Sequence, residues 1–254
     1  MNTKLPLSVA IIAKNEEENL KRCLGSLRGI SSEVLLVYND CSDGTVRVAE
    51  NFGVICLEQP WLGYRNQKNF ALSKCTNDWV LCLDADEHLT EELHSKIYEF
   101  LNSTLVSKYN GASFNRCSYF MGKWIRHGDW YPDRKTRLVK RAYSDWKGGA
   151  LHEYLDVAGE TLTLKGDLLH NSYGSVCDFP VKALKYAEIF VMNEKRMGRK
   201  IKKSDIWTRP LWRFFRSYFL RFGFLDGVAG FFISLSTAYE TMIRYGLLSE
   251  EEMK

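Results

Sequence analysis

The stretch Trp79-Val80-Leu81-Cys82-Leu83-Asp84-Ala85-Asp86-Glu87 decides how this chain is read. Five largely apolar residues run straight into a turn with three carboxylates. A short apolar run bounded by polar residues reads as a buried strand of a parallel sheet. The acids then lie just past its carboxyl end, where open α/β sheets bind ligands. Two aspartates one residue apart aim hard oxygen ligands at one point, which suits Mg²⁺ or Mn²⁺ holding phosphate oxygens. The competing reading is a solvated acidic turn that leads into a helix capped by Thr90.

Upstream, strands and helices alternate. Residues 7–13, 34–37 and 54–57 read as three earlier strands, with 79–83 the fourth. Asn15 is expected as a helix N-cap, with Glu18 as its capping-box partner and Leu20, Cys23, Leu24 and Leu27 as the apolar face. Asp43 is expected to cap a second helix that stops at Gly53, and residues 66–75 read as a third. This alternation predicts an α/β fold with a doubly wound, mostly parallel, Rossmann-like sheet. Asn15 and Glu16, the turn from Asn39 to Asp43, and Asp84 to Glu87 each follow a strand, so parallel strands would gather them on one rim. No G-x-G-x-x-G follows the first strand and no P-loop motif occurs, which argues against a dinucleotide oxidoreductase or a P-loop NTPase.

The bulk numbers set bounds. With 254 residues and 45% hydrophobic content, the chain can build one large α/β domain with an appendage. A net charge of +4 is mild and argues for no nucleic-acid partner. Seven scattered cysteines without C-x-x-C spacing suggest packed, reduced thiols of a cytosolic protein. The first residues carry no apolar signal-peptide core, and the longest uncharged apolar run, 227–239, is short for a membrane span.

The ordered set SVAIIAKNEEENL (8–20), NDCSDGT (39–45), GYRNQKNFAL (63–72) and DWVLCLDADE (78–87) resembles the family 2 glycosyltransferases of the GT-A fold. WYPDRKTRLVKR (130–141), GGALHEYL (148–155), DLLHNSYGS (167–175) and the tail from Trp207 resemble one branch of that family. That branch holds the bacterial enzymes that add glucose to the heptose of the lipopolysaccharide inner core. The resemblance implies a catalytic region over 1–178, with a nucleotide-sugar half (1–110) and an acceptor half closed by a smaller mixed sheet (111–178). A C-terminal helical, basic-aromatic region (179–254) follows.

It also implies roles. Ala13, Asn15 and Glu16 would border the nucleobase and ribose. Asp86 would ligate the metal that bridges the diphosphate, and Asp84 would contact the ribose or a metal-bound water. Arg65, Lys68 and Asn69 would flank the nucleotide, where a cation offsets the charge of the leaving diphosphate. Relatives carry Asp directly after the apolar run of the second strand. Here that position is Tyr38, so base recognition would pass to Asn39 or Asp40, with Asp43 on the same turn.

On the acceptor side, residues 112–120 and 137–140 read as strands. Glu153 is the candidate base for an inverting transfer, the alternative being a surface loop glutamate. His152 would orient Glu153 or contact phosphate. His170 is a candidate metal ligand or a merely hydrogen-bonded strand-end histidine. Arg137 would grip a phosphate of donor or acceptor, or stand as an exposed strand cation.

In the tail, Ala183, Leu184, Ala187, Phe190 and Val191 are expected to form one apolar helix face. From Trp207 to Phe222, cations recur among aromatics, the composition of a helix lying in the membrane interface or packing on a partner subunit. The expected function is therefore a metal-dependent hexosyltransfer, from UDP-glucose to a glycolipid, at the cytoplasmic face of the inner membrane. Polyprenyl-phosphate or peptide acceptors, and a non-catalytic membrane-surface adaptor, are the alternatives. A nucleotidyltransferase is disfavoured, because the loop after the first strand is acidic rather than glycine- and arginine-rich.

Overall fold

The computed structural model describes residues 5–149, 153–171, 175–196, 202 and 204–252. Its elements in chain order begin β1 (Leu5–Ala13), α1 (Glu17–Ser26), β2 (Ser31–Tyr38), α2 (Thr45–Asn51), β3 (Ile55–Glu58), α3 (Tyr64–Lys74) and β4 (Trp79–Asp84). Then come β5 (Glu87–Leu89), α4 (Glu91–Leu101), β6 (Gly111–Phe120), β7 (Lys123–Trp124), β8 (Asp133–Lys140), β9 (Ser144–Gly148), β10 (Glu153–Val157) and β11 (Thr161–His170). Three helices close the chain: α5 (Asp178–Arg196), α6 (Asp205–Phe215) and α7 (Gly227–Glu252). The chain divides into two compact units, Met1–Arg116 with Asp133–Asn171, and Cys117–Pro132 with Ser172–Lys254.

In the first unit the strand order is β3-β2-β1-β4-β8-β6-β11-β5. The first four strands are mutually parallel. β8 runs antiparallel to β4 and to β6, and β5 runs antiparallel to β11. The order 3-2-1-4 places the reversal of winding between β1 and β4, so a crevice opens at their carboxyl ends. The register sets Ile12 beside Asp84 and Ala13 beside Tyr38.

Side-chain alternation divides two cores between the faces of the sheet. Leu7, Val9 and Ile11 of β1 join Leu81 and Leu83 of β4, Leu20 of α1 and Leu93 of α4 on one face. Ala10 and Ile12 of β1 join Val80 and Cys82 of β4, with Ala71 and Leu72 of α3, on the other. Trp146 of β9 and Leu155 of β10 belong to this second core. β9 and β10 form a separate two-stranded antiparallel sheet. The smaller sheet is thus a hairpin, and the other antiparallel strands extend the main sheet.

The helix starts correct two expectations. Asn15 does not cap α1; it sits at φ 55° and its side chain accepts from the Ser42 amide at 2.8 Å. Glu18 makes no capping box and pairs with Lys21. Glu16 is the residue at the cap position. The free amides of Glu16 and Glu17 donate instead to Thr45 Oγ1 (2.8 Å) and Asp43 Oδ2 (3.1 Å). Glu17 in return accepts from the Gly44 amide at 3.0 Å, so α1 and α2 cap each other. Asp43 is one residue ahead of the N-cap, Gly44, and accepts from the Thr45 amide. Thr90 caps α4, the cap that the competing reading of the acidic turn named, and accepts from the Leu93 amide.

In the second unit, Phe120, Ile125, Phe179, Ala229 and Ile233 form the core. Asp226 is buried there and accepts the Arg126 and His127 amides. Gly227, at φ 60°, stands at the start of α7. Of the expected apolar face of α5, Ala183, Ala187 and Val191 are buried but Leu184 is exposed. Most of the basic stretch KRMGRKIKK (195–203), which runs on from the end of α5 in the sequence, lies outside the described residues.

Gly166 of β11 provides a test of packing. It has φ +94°, and a Cβ there would lie 2.5 Å from the Leu93 amide nitrogen of α4. Gly166→Ala is expected to cost about 2 kcal/mol or more, read by urea unfolding, because both the backbone conformation and the helix approach are violated. A cost below about 0.5 kcal/mol would show that β11 and α4 are not held at this distance.

Candidate active site

The acidic turn is built by charge neutralisation. Glu87 is completely buried at the start of β5. Its Oε2 accepts the Asp84 amide at 3.0 Å, and its Oε1 faces Arg137 Nη2 at 2.8 Å and Arg116 Nη1 at 3.5 Å. Asp84 receives Lys68 Nζ from α3 on Oδ1 at 2.8 Å and Arg137 Nη2 from β8 on Oδ2 at 3.0 Å. Burial opposes the charge on Asp84, but Lys68 and Arg137 overcome it and hold the carboxyl below the usual range. Burial likewise works against the Lys68 ammonium, yet the Asp84 charge raises its pKa on balance, with Glu153 adding to it and Arg137 opposing. Beneath both cations lies the indole of Trp146, 4.6 Å from Lys68 Nζ and 5.2 Å from the Arg137 guanidinium.

Lys68 also reaches Glu153 Oε1 at 2.9 Å, so one ammonium joins the acidic turn to β10. Asn69 fastens the same hairpin: its Oδ1 accepts the Trp146 amide (2.8 Å) and its Nδ2 donates to the Trp146 carbonyl (3.0 Å). Asp86 meets His170 Nε2 at 3.2 Å, because β11 pairs with β5 in a register that sets His170 opposite Glu87. The other ring nitrogen, Nδ1, is buried without a hydrogen-bond partner.

These groups surround a cavity of about 550 Å³ at the carboxyl ends of β1, β2 and β4. Ala13, Glu16, Asn39, Asp40, Lys68, Asp84, Asp86, Glu153 and His170, all singled out from the sequence, line it. Burial raises the pKa of Glu16; an Asn19 hydrogen bond opposes this, and the charges of Asp86, Asp43 and Asp84 add to it. The charges of Asp86, Asp43 and Asp84 thus reach Glu16 at the cavity, while Asp84 is already claimed by two cations.

Other expected site residues are placed elsewhere. Arg137 is 5% exposed and turned to Asp84 and Glu87, so it supports the turn from beneath rather than gripping a phosphate. Asn69 is committed to Trp146, and Asp43 to Thr45 and Glu17. Asn15 holds the Ser42 loop, and Arg65 is exposed beside Asn66; neither lines the cavity. His152 lies outside the described residues.

Four polar or aromatic lining residues had not been singled out: Lys14, Trp61, Tyr64 and Gln67. Lys14 directly follows β1, and that position was its available signal. Trp61 and Tyr64 meet edge to face at 4.8 Å and form an aromatic lip. Tyr38, by contrast, packs against the core, and Asn39 and Asp40 take the places on the cavity wall.

Residues 8–154 match the profile of glycosyl transferase family 2. The chain belongs to this family. An uncharacterized glycosyltransferase of Rickettsia conorii is 31% identical, over 98% of this chain and 91% of the relative. The lipopolysaccharide core biosynthesis glycosyltransferase LpsC of Rhizobium meliloti is 28% identical, over 94% and 90%. Among solved structures, S. aureus TarS 1-349 covers 98% of this chain and 92% of its own, at 12% identity and a TM-score of 0.47. Membership of the family and the sheet at hand agree with the GT-A architecture expected from the sequence, and the chain is a glycosyltransferase.

Arg137→Met tests the neutralisation of the turn. It would leave Glu87 buried with only the more distant Arg116, and about 3–5 kcal/mol of stability should be lost in urea unfolding near neutral pH. The folded pKa of Asp84 is depressed, so its stabilisation is present above its unfolded value of about 4 and declines as pH falls through the folded one. The variant should accordingly lose less stability on acidification than the parent. A loss under about 1 kcal/mol would show that Arg137 is not what neutralises Glu87.

Proposed function

We propose that this glycosyltransferase moves a hexose, from UDP-glucose, with inversion onto a sugar hydroxyl of a lipid-anchored acceptor, the heptose of a lipopolysaccharide inner core. One observation carries the reading. Lys68 bridges Asp84 and Glu153, which brings a donor-side acid and an acceptor-side base to the same cavity wall. The name of the Rhizobium relative supports the acceptor class.

In this reading the acceptor oxygen bonds to the anomeric carbon as the bond from that carbon to the diphosphate breaks. The diphosphate leaves with the bonding pair, and Glu153 takes the hydroxyl proton. Lys68 holds Oε1 of Glu153, which leaves Oε2 for the acceptor hydroxyl. The Asn39 amide offers a donor and an acceptor to a uracil edge, and Trp61 and Tyr64 give flat surfaces at the mouth. Lys14 is the cavity cation left for the diphosphate, its only described partner being Asp40 at 3.8 Å.

The donor set fits a divalent ion in a restricted way. Among the described residues no three metal-ligating side chains converge. Asp86 and His170 would hold Mg²⁺ or Mn²⁺ as a two-ligand platform, the remaining positions falling to diphosphate oxygens and water. The chemistry such an ion supplies is neutralisation of charge at the departing diphosphate.

The second unit supplies the reason for a lipid-anchored acceptor. Trp207, Leu211, Phe215 and Phe219 recur every four residues along α6 and the π-helical turn that follows, and all are exposed. Among the described residues no single helix is long and apolar enough to cross a membrane. Asp205–Leu220 and Gly223–Glu250 reach that length and composition only as a pair bent by 71°. We read the stripe as contact with the inner-membrane surface from the cytoplasmic side.

Calorimetric titration should show UDP binding with Mn²⁺ and none with EDTA, and GDP binding weakly or not at all. Metal-dependent GDP binding in place of UDP would sink the uridine assignment, and binding indifferent to EDTA would sink the platform. Glu153→Gln should lower kcat by about 10²- to 10⁴-fold while UDP binding persists. Full activity in that variant would point to an acceptor that is already charged, such as a polyprenyl phosphate.

A further inference from the structure

The second unit contains a cavity of its own. It measures about 240 Å³ and is enclosed by α5, α6, the π-helical turn Arg216–Leu220 and α7. Four guanidinium groups line it, those of Arg209, Arg213, Arg216 and Arg244, against one carboxylate, Glu240.

The ion pairs leave this pocket positively charged. Arg213 and Arg216 share the buried Asp129 with Arg221, at 2.7, 3.9 and 3.0 Å. Arg209 is held by Asp205 at 3.1 Å, and Arg244 pairs with Glu240. In these pairs five arginines divide three carboxylates. Aromatic stacking fixes two of the heads: Arg209 lies over Tyr245 at 5.0 Å and Arg244 over Phe190 at 5.2 Å. Arg244 Nε is buried with no hydrogen-bond partner, a donor that a bound oxyanion would satisfy.

Planar guanidiniums converging on a small cavity are the chemistry of phosphate recognition. The location narrows the source. Arg209, Arg213 and Arg216 lie along one flank of α6 and its continuation, and the exposed ridge Trp207, Leu211, Phe215 and Phe219 runs along another. Trp212, between the two, lines the cavity and is 57% exposed. An apolar ridge beside an arginine pocket matches acyl chains beside an anionic headgroup.

The geometry points to this pocket as a binding site for the phosphate of a membrane lipid headgroup. The site shares the membrane-surface reading of the second unit but needs nothing of the donor site or of sugar transfer.

The test uses the full chain in flotation with phosphatidylcholine vesicles, with and without phosphatidic acid. Arg209→Gln/Arg244→Gln should weaken binding to the phosphatidic acid vesicles by about thirtyfold. Glu240→Gln removes the opposing carboxylate and should tighten it several-fold, a gain that misfolding cannot mimic. Both variants should bind UDP as the parent does, so failure here is separable from failure of the donor-site reading. Glycerol phosphate in solution should bind far more weakly than the vesicle lipid. Parent-like flotation of the double arginine variant, or weaker flotation of Glu240→Gln, would overturn the site. Equal affinity for soluble glycerol phosphate and vesicle lipid would overturn the lipid as its source.

Discussion

Three carboxylates within four residues, at the end of a strand buried on both faces, cannot all ionise without help. The structure around Asp84, Asp86 and Glu87 is the solution to that constraint. Cations arrive from three different elements: Lys68 from α3, Arg137 from β8 and Arg116 from β6. A lone buried carboxylate would protonate or unfold the turn. Because the partners come from distant parts of the chain, the turn exists only once the antiparallel half of the sheet has joined the parallel half.

The same constraint sorts the acids by task. Glu87, fully enclosed, is structural and holds the Asp84 amide. Asp84 is saturated by two cations and faces the cavity as a neutralised wall. Asp86 meets an imidazole, and its charge adds to the rise in the Glu16 pKa that burial mainly causes. A site for a diphosphate needs both conditions side by side: rigid walls already neutralised, and one edge still able to draw in positive charge.

Much of this was legible in the sequence, for physical reasons. The four parallel strands carry local apolar runs, and their order with the intervening helices leaves few topologies. Thr90 caps α4 through a contact three residues away, a range that sequence reading resolves. The cap of α1 was misread, because its real partners, Asp43 and Thr45, lie on another loop and outcompete Asn15. Arg137 was misassigned for a similar reason. In sequence its strand looks like alternating exposed cations, and only the pairing of β8 with β4 turns it toward Glu87. Lys14 was passed over because a single cation after a strand carries no periodic signal. In the tail, alternation of cations and aromatics was plain, but their division into an exposed ridge and an arginine-lined cavity needed α5 and α7 to be in place.

The base of the reaction in this reading, Glu153, belongs to no strand of the main sheet. It sits on a hairpin that hangs from the catalytic unit through Lys68, the two bonds of the Asn69 side chain to the Trp146 backbone and the packing of Trp146 and Leu155. Such an attachment is modular. The donor half keeps its register whatever the hairpin tip carries, and the hairpin keeps its aim as long as α3 presents the same two residues. Acceptor choice can then diverge by exchange of a short β-ribbon, without any change to the strands that hold the nucleotide.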